Sequence, residues 1–249
     1  MPANVDIKEL LVAGAHFGHK TSRWHPKMAP YIHSKRDGAH IINLEKTVEA
    51  LEAALPEITR VSAAGKKILF VGTKKQMKDI VKEAALAVDM PFVTARWIGG
   101  MLTNIDTMSK QIRKLKELER RMATGELERR YTKLDVQHYQ EEIDLLNERY
   151  GGIKDMNEQP AMLIVADMLI DKNAIKEAAT LNIPVVAIAD SNADPSKVAF
   201  PIPANDDSIK ATRCLFAYFV DAVKAGQAKR KTLQSSETAK STNTKKEEK

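Results

Sequence analysis

The apolar positions of this chain change their period twice. Between residues 44 and 104, short apolar runs alternate with helical spacing. Residues 44–64 read as a helix kinked by Pro56 and stopped by Gly65, and 68–72 (ILFVG) as a buried strand. Residues 75–88 read as a helix capped by Thr73, and 92–95 as a second strand opened by Pro91. From residue 105 strand-like runs stop. Ile105, Met108, Ile112, Leu115 and Met122 keep a three–four spacing, broken only at Glu119, and after a turn at Gly125 the spacing returns in Val136, Tyr139, Ile143, Leu146 and Tyr150. Two such seams joined by a turn predict an antiparallel helical hairpin. Past Gly151–Gly152 the alternation resumes, with a strand at 161–166, a helix at 173–182, a strand at 185–189 and a short strand at 198–202 between prolines. The last helix, capped by Asn205 or Asp206, runs to about Ala225. Strands separated by helices require a mainly parallel sheet covered on both faces. The pattern predicts a doubly wound α/β domain with an inserted antiparallel helical hairpin.

Two stretches lack such a period. A short amphipathic helix at 6–13 leads into residues 14–40, which read as irregular, with three glycines and two prolines, before 40–43, which could form a short strand. Here lie five of the six histidines (16, 19, 25, 33 and 40), the cations Lys20, Arg23, Lys27, Lys35 and Arg36, one acid (Asp37), and Phe17, Trp24 and Tyr31. Cations interleaved with aromatics suit a folded single strand of nucleic acid, neutralising phosphates and stacking bases. Beyond Gly226 the only large apolar residue is Leu233, too little to offset ordering entropy, so a disordered tail is expected. The organisation read from the chain is 1–43 for the N-terminal helix and basic loop, 44–104 with 151–226 for the α/β domain, 105–150 for the hairpin, and 227–249 for the tail.

Charge refines this picture by its location. The formal net charge is +6 with a pI near 9.2, but residues 224–249 carry +5 of it, leaving a body that is almost neutral. Discrete basic patches follow, and a non-specific polycation does not. The hairpin arms are oppositely charged, +4 over 104–133 and −5 over 134–160, which favours their docking and leaves a basic outer face on the first. One cysteine, Cys214, excludes an intramolecular disulfide and a cysteine-built zinc site. The N-terminus lacks a signal-peptide core and no run is long enough to span a membrane, so the cytoplasm is the expected compartment.

Candidate chemistry concentrates at two places. Residues 96–104, RWIGGMLTN, join the sheet to the hairpin: Arg96 can grip a phosphate, Trp97 can stack, and Gly99–Gly100 allows close backbone approach. From these nine residues alone, the plainer reading makes Trp97 and Met101 core. After the first strand the chain reads GTKKQM, with neither a dinucleotide turn nor a P-loop, and no G-x-S-x-G elbow occurs. Thr73, Lys74 and Lys75 still place a hydroxyl and two cations at a helix start, a place for a phosphate of a small molecule or of a polymer. A divalent-metal site from His16 and His19 with Asp167, Asp190, Asp206 and Asp207 is the alternative to capping and loop hydrogen bonds. A small-molecule enzyme using the strand-end crevice and a free-standing protein-docking arm are the rival functions.

Read together, AHFGHKTSRWHPKM (15–28), YIHSKRDGAHIINLEKT (31–47), ILFVGTKKQ (68–76), RWIGGMLTN (96–104), GGIKDM (151–156) and FPIPANDD (200–207) resemble the family of bacterial small-subunit ribosomal proteins conventionally numbered two. The resemblance covers about residues 6–225. Departures are Ile98 where the family more often has Leu, Ile105 where it often has Trp, Asn192–Ala193 within its D-T/S-N-x-D-P loop, and the tail. It implies a Rossmann-like domain with a protruding hairpin and a structural, non-catalytic role between head and body of the small subunit. It also implies contact with rRNA and neighbouring small-subunit proteins, and help in recruiting the largest of them. No cofactor, membrane or free homo-oligomer is expected. The residues expected to contact rRNA are Lys20, Arg23, Lys27, Lys35 and Arg36, then Lys74 and Lys75, Arg96, and Lys110, Arg113 and Lys114 on the first arm. Trp24 stacks or packs beneath them, and Trp97 packs.

Overall fold

The computed structural model describes residues 5–156 and 158–247, those from 233 onward as helical backbone only. Helix α1 (Ile7–Val12) is capped by the Asp6 side chain and buries Leu10. The following stretch is not irregular, as its composition suggested. It builds a three-stranded antiparallel sheet from β1 (Phe17–Lys20), β2 (Ile32–Arg36) and β3 (Ala39–Ile42) in the order β1–β3–β2. Asp37 and Gly38, with φ of 50° and 76°, make the two-residue turn between β2 and β3. Both need positive φ, and Asp-Gly is a sequence suited to that turn. The hydrophobic signal was silent because β1 and β2 are largely exposed, so neither shows an apolar alternation.

The main sheet is parallel throughout, with β5–β4–β6–β7–β8 in order: β4 (Ile68–Val71), β5 (Phe92–Val93), β6 (Met162–Val165), β7 (Val185–Ala189) and β8 (Phe200–Pro203). Pro201 and Pro203 are tolerated because β8 is an edge. Alternate side chains feed two cores. Ile68, Phe70, Ile164 and Ile188 face α2 (Leu44–Ala63), α3 (Lys78–Leu86) and α8 (Ile209–Glu247), where Phe216 and Phe219 are buried. Leu69, Val71, Leu163 and Val165 face α7 (Lys172–Thr180), the junction loop and the helices that follow it. Both faces are covered, so the central strands read as continuous apolar runs.

Three local expectations need correction. Helix α3 starts at Lys78 rather than Lys75, because Thr73 is not a cap: its N–H and hydroxyl donate to Asp171, the latter at 2.7 Å. The 105–150 span contains α4 (Ile105–Ala123), α5 (Glu126–Arg130) and α6 (Lys133–Tyr150), with a capping box between Thr132 and Asp135. Leu118, not position 119, is buried in the seam, while Glu119 pairs with Lys154 and accepts from Asn147 at 3.0 Å. Finally, α8 does not stop at Gly226. A Cβ there would lie 2.5 Å from the Thr59 carbonyl oxygen and 2.6 Å from Ser62 Cβ, so this glycine lets α8 press onto α2. Beyond it the Gln227 side chain donates to the Val88 carbonyl at 2.6 Å. The expected tail is therefore docked helix through at least its first residues; its part from 233 to 249 lies outside the residues described in full.

Candidate nucleic-acid interface

In this strand order β4 is flanked by β5 on one side and β6 on the other, so the chain reverses direction across the sheet between β4 and β6. The crevice at their carboxyl ends is where α/β sheets bind small ligands. Here it is filled by the protein's own side chains. Lys74, 13% exposed, places Nζ 3.3 Å from Asp167, 3.0 Å from Asp206 and 2.7 Å from Asp207. Burial alone would pull its pKa down, but the Asp207 and Asp206 hydrogen bonds and the Asp167 charge outweigh that and raise it, keeping Lys74 charged. One ammonium does not neutralise the whole acidic cluster. Burial, then the Asp167 and Asp190 charges, push Asp206 up to about 7 despite Lys74. Burial raises the Asp171 carboxyl to about 6, opposed by the Thr73 hydrogen bonds.

This cluster also clamps the antiparallel sheet. His19 on β1 sits with Nδ1 3.1 Å from Asp190 and Nε2 3.5 Å from Asp207, and the Asp190 hydrogen bond raises its pKa. The His19 N–H donates to Ser191 Oγ at 2.8 Å, and the His25 N–H donates to the Ser191 carbonyl at 2.8 Å. Gly18 is required at this contact, since a Cβ would lie 2.9 Å from Ser191 Oγ. The crevice thus serves to seat β1–β3–β2. Sequence reasoning noted Asp190 and His19 as metal candidates but had no signal for Ser191 or for this docking.

The expected binding residues divide by what holds them. Lys20, Arg23 and Lys35 are exposed, and Arg36 meets only its neighbour Asp37 at 3.7 Å with both side chains in solvent. Trp24 is 38% exposed, with its ring 5.2 Å from the His40 ring and Lys35 Nζ 5.9 Å from its centroid. Lys27 is turned back onto Asp194 at 3.2 Å and Ser196 at 2.6 Å. Lys74 is drawn inward as described, whereas Lys75 is exposed. Lys110 and Arg113 are exposed on α4, and Lys114 pairs with Glu142 of α6. Arg96 is exposed beside Trp97, which is buried.

Glu177 of α7 explains the junction loop and was missed. Its carboxylate accepts from Trp97 Nε1 at 3.1 Å and from the N–H groups of Gly100 at 2.8 Å, Leu102 at 3.0 Å and Thr103 at 3.3 Å. Gly100 at φ 85° turns the backbone around it. Burial works against the anion, but these donors prevail and hold Glu177 below the usual carboxylate range.

For a divalent cation, His19, Asp206 and Asp207 offer ligand atoms within 4.8 Å of one another, and among the described residues His16 is not part of that group. The same two carboxylates already hold the Lys74 ammonium, so a cation there would compete with it. A mostly apolar groove of about 230 Å³ lies at the base of α4, floored by Met101, Leu102, Ile105, Met108, Ile112 and Met156 and rimmed by Arg113, Lys116, Lys154 and Glu158. No helix among the described residues is long and apolar enough to cross a membrane.

Comparison with known proteins gives one consistent result. The family described as "Ribosomal protein S2" matches residues 10–226. A small ribosomal subunit protein uS2 of Fusobacterium nucleatum is 42% identical over 222 residues, covering 89% of this chain and 90% of the relative. That of Chloroflexus aggregans is 43% identical over 234 residues, covering 94% and 98%. That of a Roseiflexus species is 45% identical over 230 residues, covering 92% and 87%.

Proposed function

The chain belongs to the ribosomal protein S2 family, and from that premise we propose that it binds rRNA between the head and body of the small subunit and helps recruit the largest small-subunit ribosomal protein. It is a structural ribosomal protein, not an enzyme. One observation carries the rRNA reading. The strand-end crevice is occupied by Lys74 and its carboxylates, while the sheet docked onto it carries Lys20, Arg23, Trp24, Lys35 and Arg36 in solvent. A fold that binds small ligands elsewhere here spends its crevice on mounting a cationic surface. Lys75, Arg96, Lys110 and Arg113 extend the phosphate-binding set; Lys27, Lys74 and Lys114 contribute through internal pairs instead.

The domain reading follows the sequence: 44–104 with 151–226 as the body and 105–150 as an inserted antiparallel hairpin, α4 and α6 being its arms. The apolar groove at the base of α4 supports a protein partner there, consistent with recruitment of a neighbour. The protein works in the cytoplasm within the subunit and needs no resident cofactor, because Lys74 already supplies the positive charge at the one cluster of metal-type ligands among the described residues.

The deciding experiment is sedimentation of the tagged protein in cell lysate. Co-migration with small subunits, abolished by ribonuclease, is the expected result; a free protein at the top of the gradient overturns the reading. Ile105→Glu, at an exposed groove position, is expected to weaken retention of the largest small-subunit protein while leaving co-migration intact.

A further inference from the structure

A second cleft lies between α3, the edge strand β5 and the end of α6, with a volume of about 340 Å³. Lys78 and Lys82 line it from α3 and Arg149 from the last turn of α6; residues 92–95, Asn147 and Gly151–Gly152 complete it. Gly152 has no room for a side chain, since a Cβ would run into the Phe92 carbonyl, so the chain closes tightly over the strand edge. Among the described residues none of these three cations has a carboxylate partner, in contrast to Lys74, Lys114 and Lys154. Exposed Lys75 and Arg96, just before α3 and after β5, extend the same charge.

We infer that this cleft is a second seat for the sugar-phosphate backbone of rRNA, gripped by Lys78, Lys82 and Arg149. The inference rests on the rRNA-binding reading above. Lys78 and Lys82 are one helical turn apart, ~6 Å along the axis, a spacing that lets one strand engage both ammoniums in succession. The contrast with the apolar groove at α4 favours a polyanion here over a protein helix. Asp79 and Glu148 also line the cleft and oppose an anion. That gives the inference a second, opposite-signed consequence: neutralising them must tighten binding.

The test uses the full-length protein and a full-length small-subunit rRNA transcript, measuring affinity against salt. Lys78→Gln/Lys82→Gln/Arg149→Gln is expected to lower the salt slope by roughly two to three, since each lost phosphate contact removes about 0.7–0.9. Asp79→Asn/Glu148→Gln is expected to tighten binding several-fold at low salt. Lys172→Gln/Lys176→Gln/Lys210→Gln, three exposed cations on α7 and α8 that do not line the cleft, controls for the loss of three charges. If the triple variant matches this control while loss of Lys20, Arg23, Lys35 and Arg36 still lowers the slope, the cleft is refuted and the rRNA reading stands. If the unaltered protein shows no salt-dependent binding, both fall.

Discussion

The strand-end crevice and the antiparallel sheet mounted on it are built from the same kinds of residue and put them to opposite uses. In the crevice Lys74 is surrounded by Asp167, Asp206 and Asp207, so its charge is consumed inside the protein. On the sheet Lys20, Arg23 and Lys35 are exposed and pair with no carboxylate among the described residues, Lys35 lying over the Trp24 ring, so their charge is available to a partner. Lys74 and Lys75 are sequence neighbours and fall on opposite sides of this divide. What separates them is the reach of carboxylates brought together from the ends of β6 and β8, a tertiary property. Counting basic residues therefore overstates a binding surface wherever acids from distant segments converge.

The sharpest way to break this contrast is Lys74→Met. Removing the cation leaves Asp167 and Asp206 buried without a counter-charge, an uncompensated arrangement that costs about 3–5 kcal/mol of stability. Urea denaturation at pH 7 should show the midpoint collapse. If instead stability holds and only rRNA affinity drops, Lys74 belongs with the outward cations.

Titration sharpens the same contrast. Asp206 in the folded protein has its pKa raised to about 7, well above an unfolded carboxylate. Folding therefore favours its protonated form: that contribution is complete at pH below about 4 and is lost as pH rises through about 7. His19, also raised, contributes stability below its ordinary pKa and loses it as pH climbs past the folded value. Stability should fall between about pH 4 and 7 more steeply than in Asp206→Asn, whose amide does not titrate. Parallel curves for the two proteins would count against the buried cluster as drawn.

On the outward side the expected stability effect is the smallest. Lys20→Gln, Arg23→Gln, Lys35→Gln and Arg36→Gln together should shift stability by under about 0.5 kcal/mol per site, as for surface substitutions generally. The salt slope of rRNA binding should nevertheless fall by roughly three. A large stability loss with an unchanged slope would place these cations in the interior's category.

Much of the architecture was legible because burial writes itself into periodicity. β4, β6 and β7 read as continuous apolar runs since both of their faces are covered, and α4 and α6 read as helices since one stripe of each is buried. Most of the antiparallel sheet was illegible by that signal because β1 and β2 are largely exposed; only residues 40–43, overlapping the half-buried β3, read as a strand candidate. The end of the last helix was placed too early, at about Ala225, just before Gly226, for a related reason. A glycine near a helix end normally signals a stop, and only the approach of α2 shows that it is a close-packing contact.

The candidate site divides the same way. Residue types and motifs by themselves determined the fold class, the family and the stretches rich in cations, since these depend on local composition and pattern. Which cations stay in solvent, which are spent on Asp194, Asp206 or Glu142, and that Glu177 ties down the junction loop were decided only by tertiary structure. The physical reason is range. An electrostatic partner has to lie within a few ångströms, and the chain folds carboxylates into that distance from positions 28 to 167 residues away.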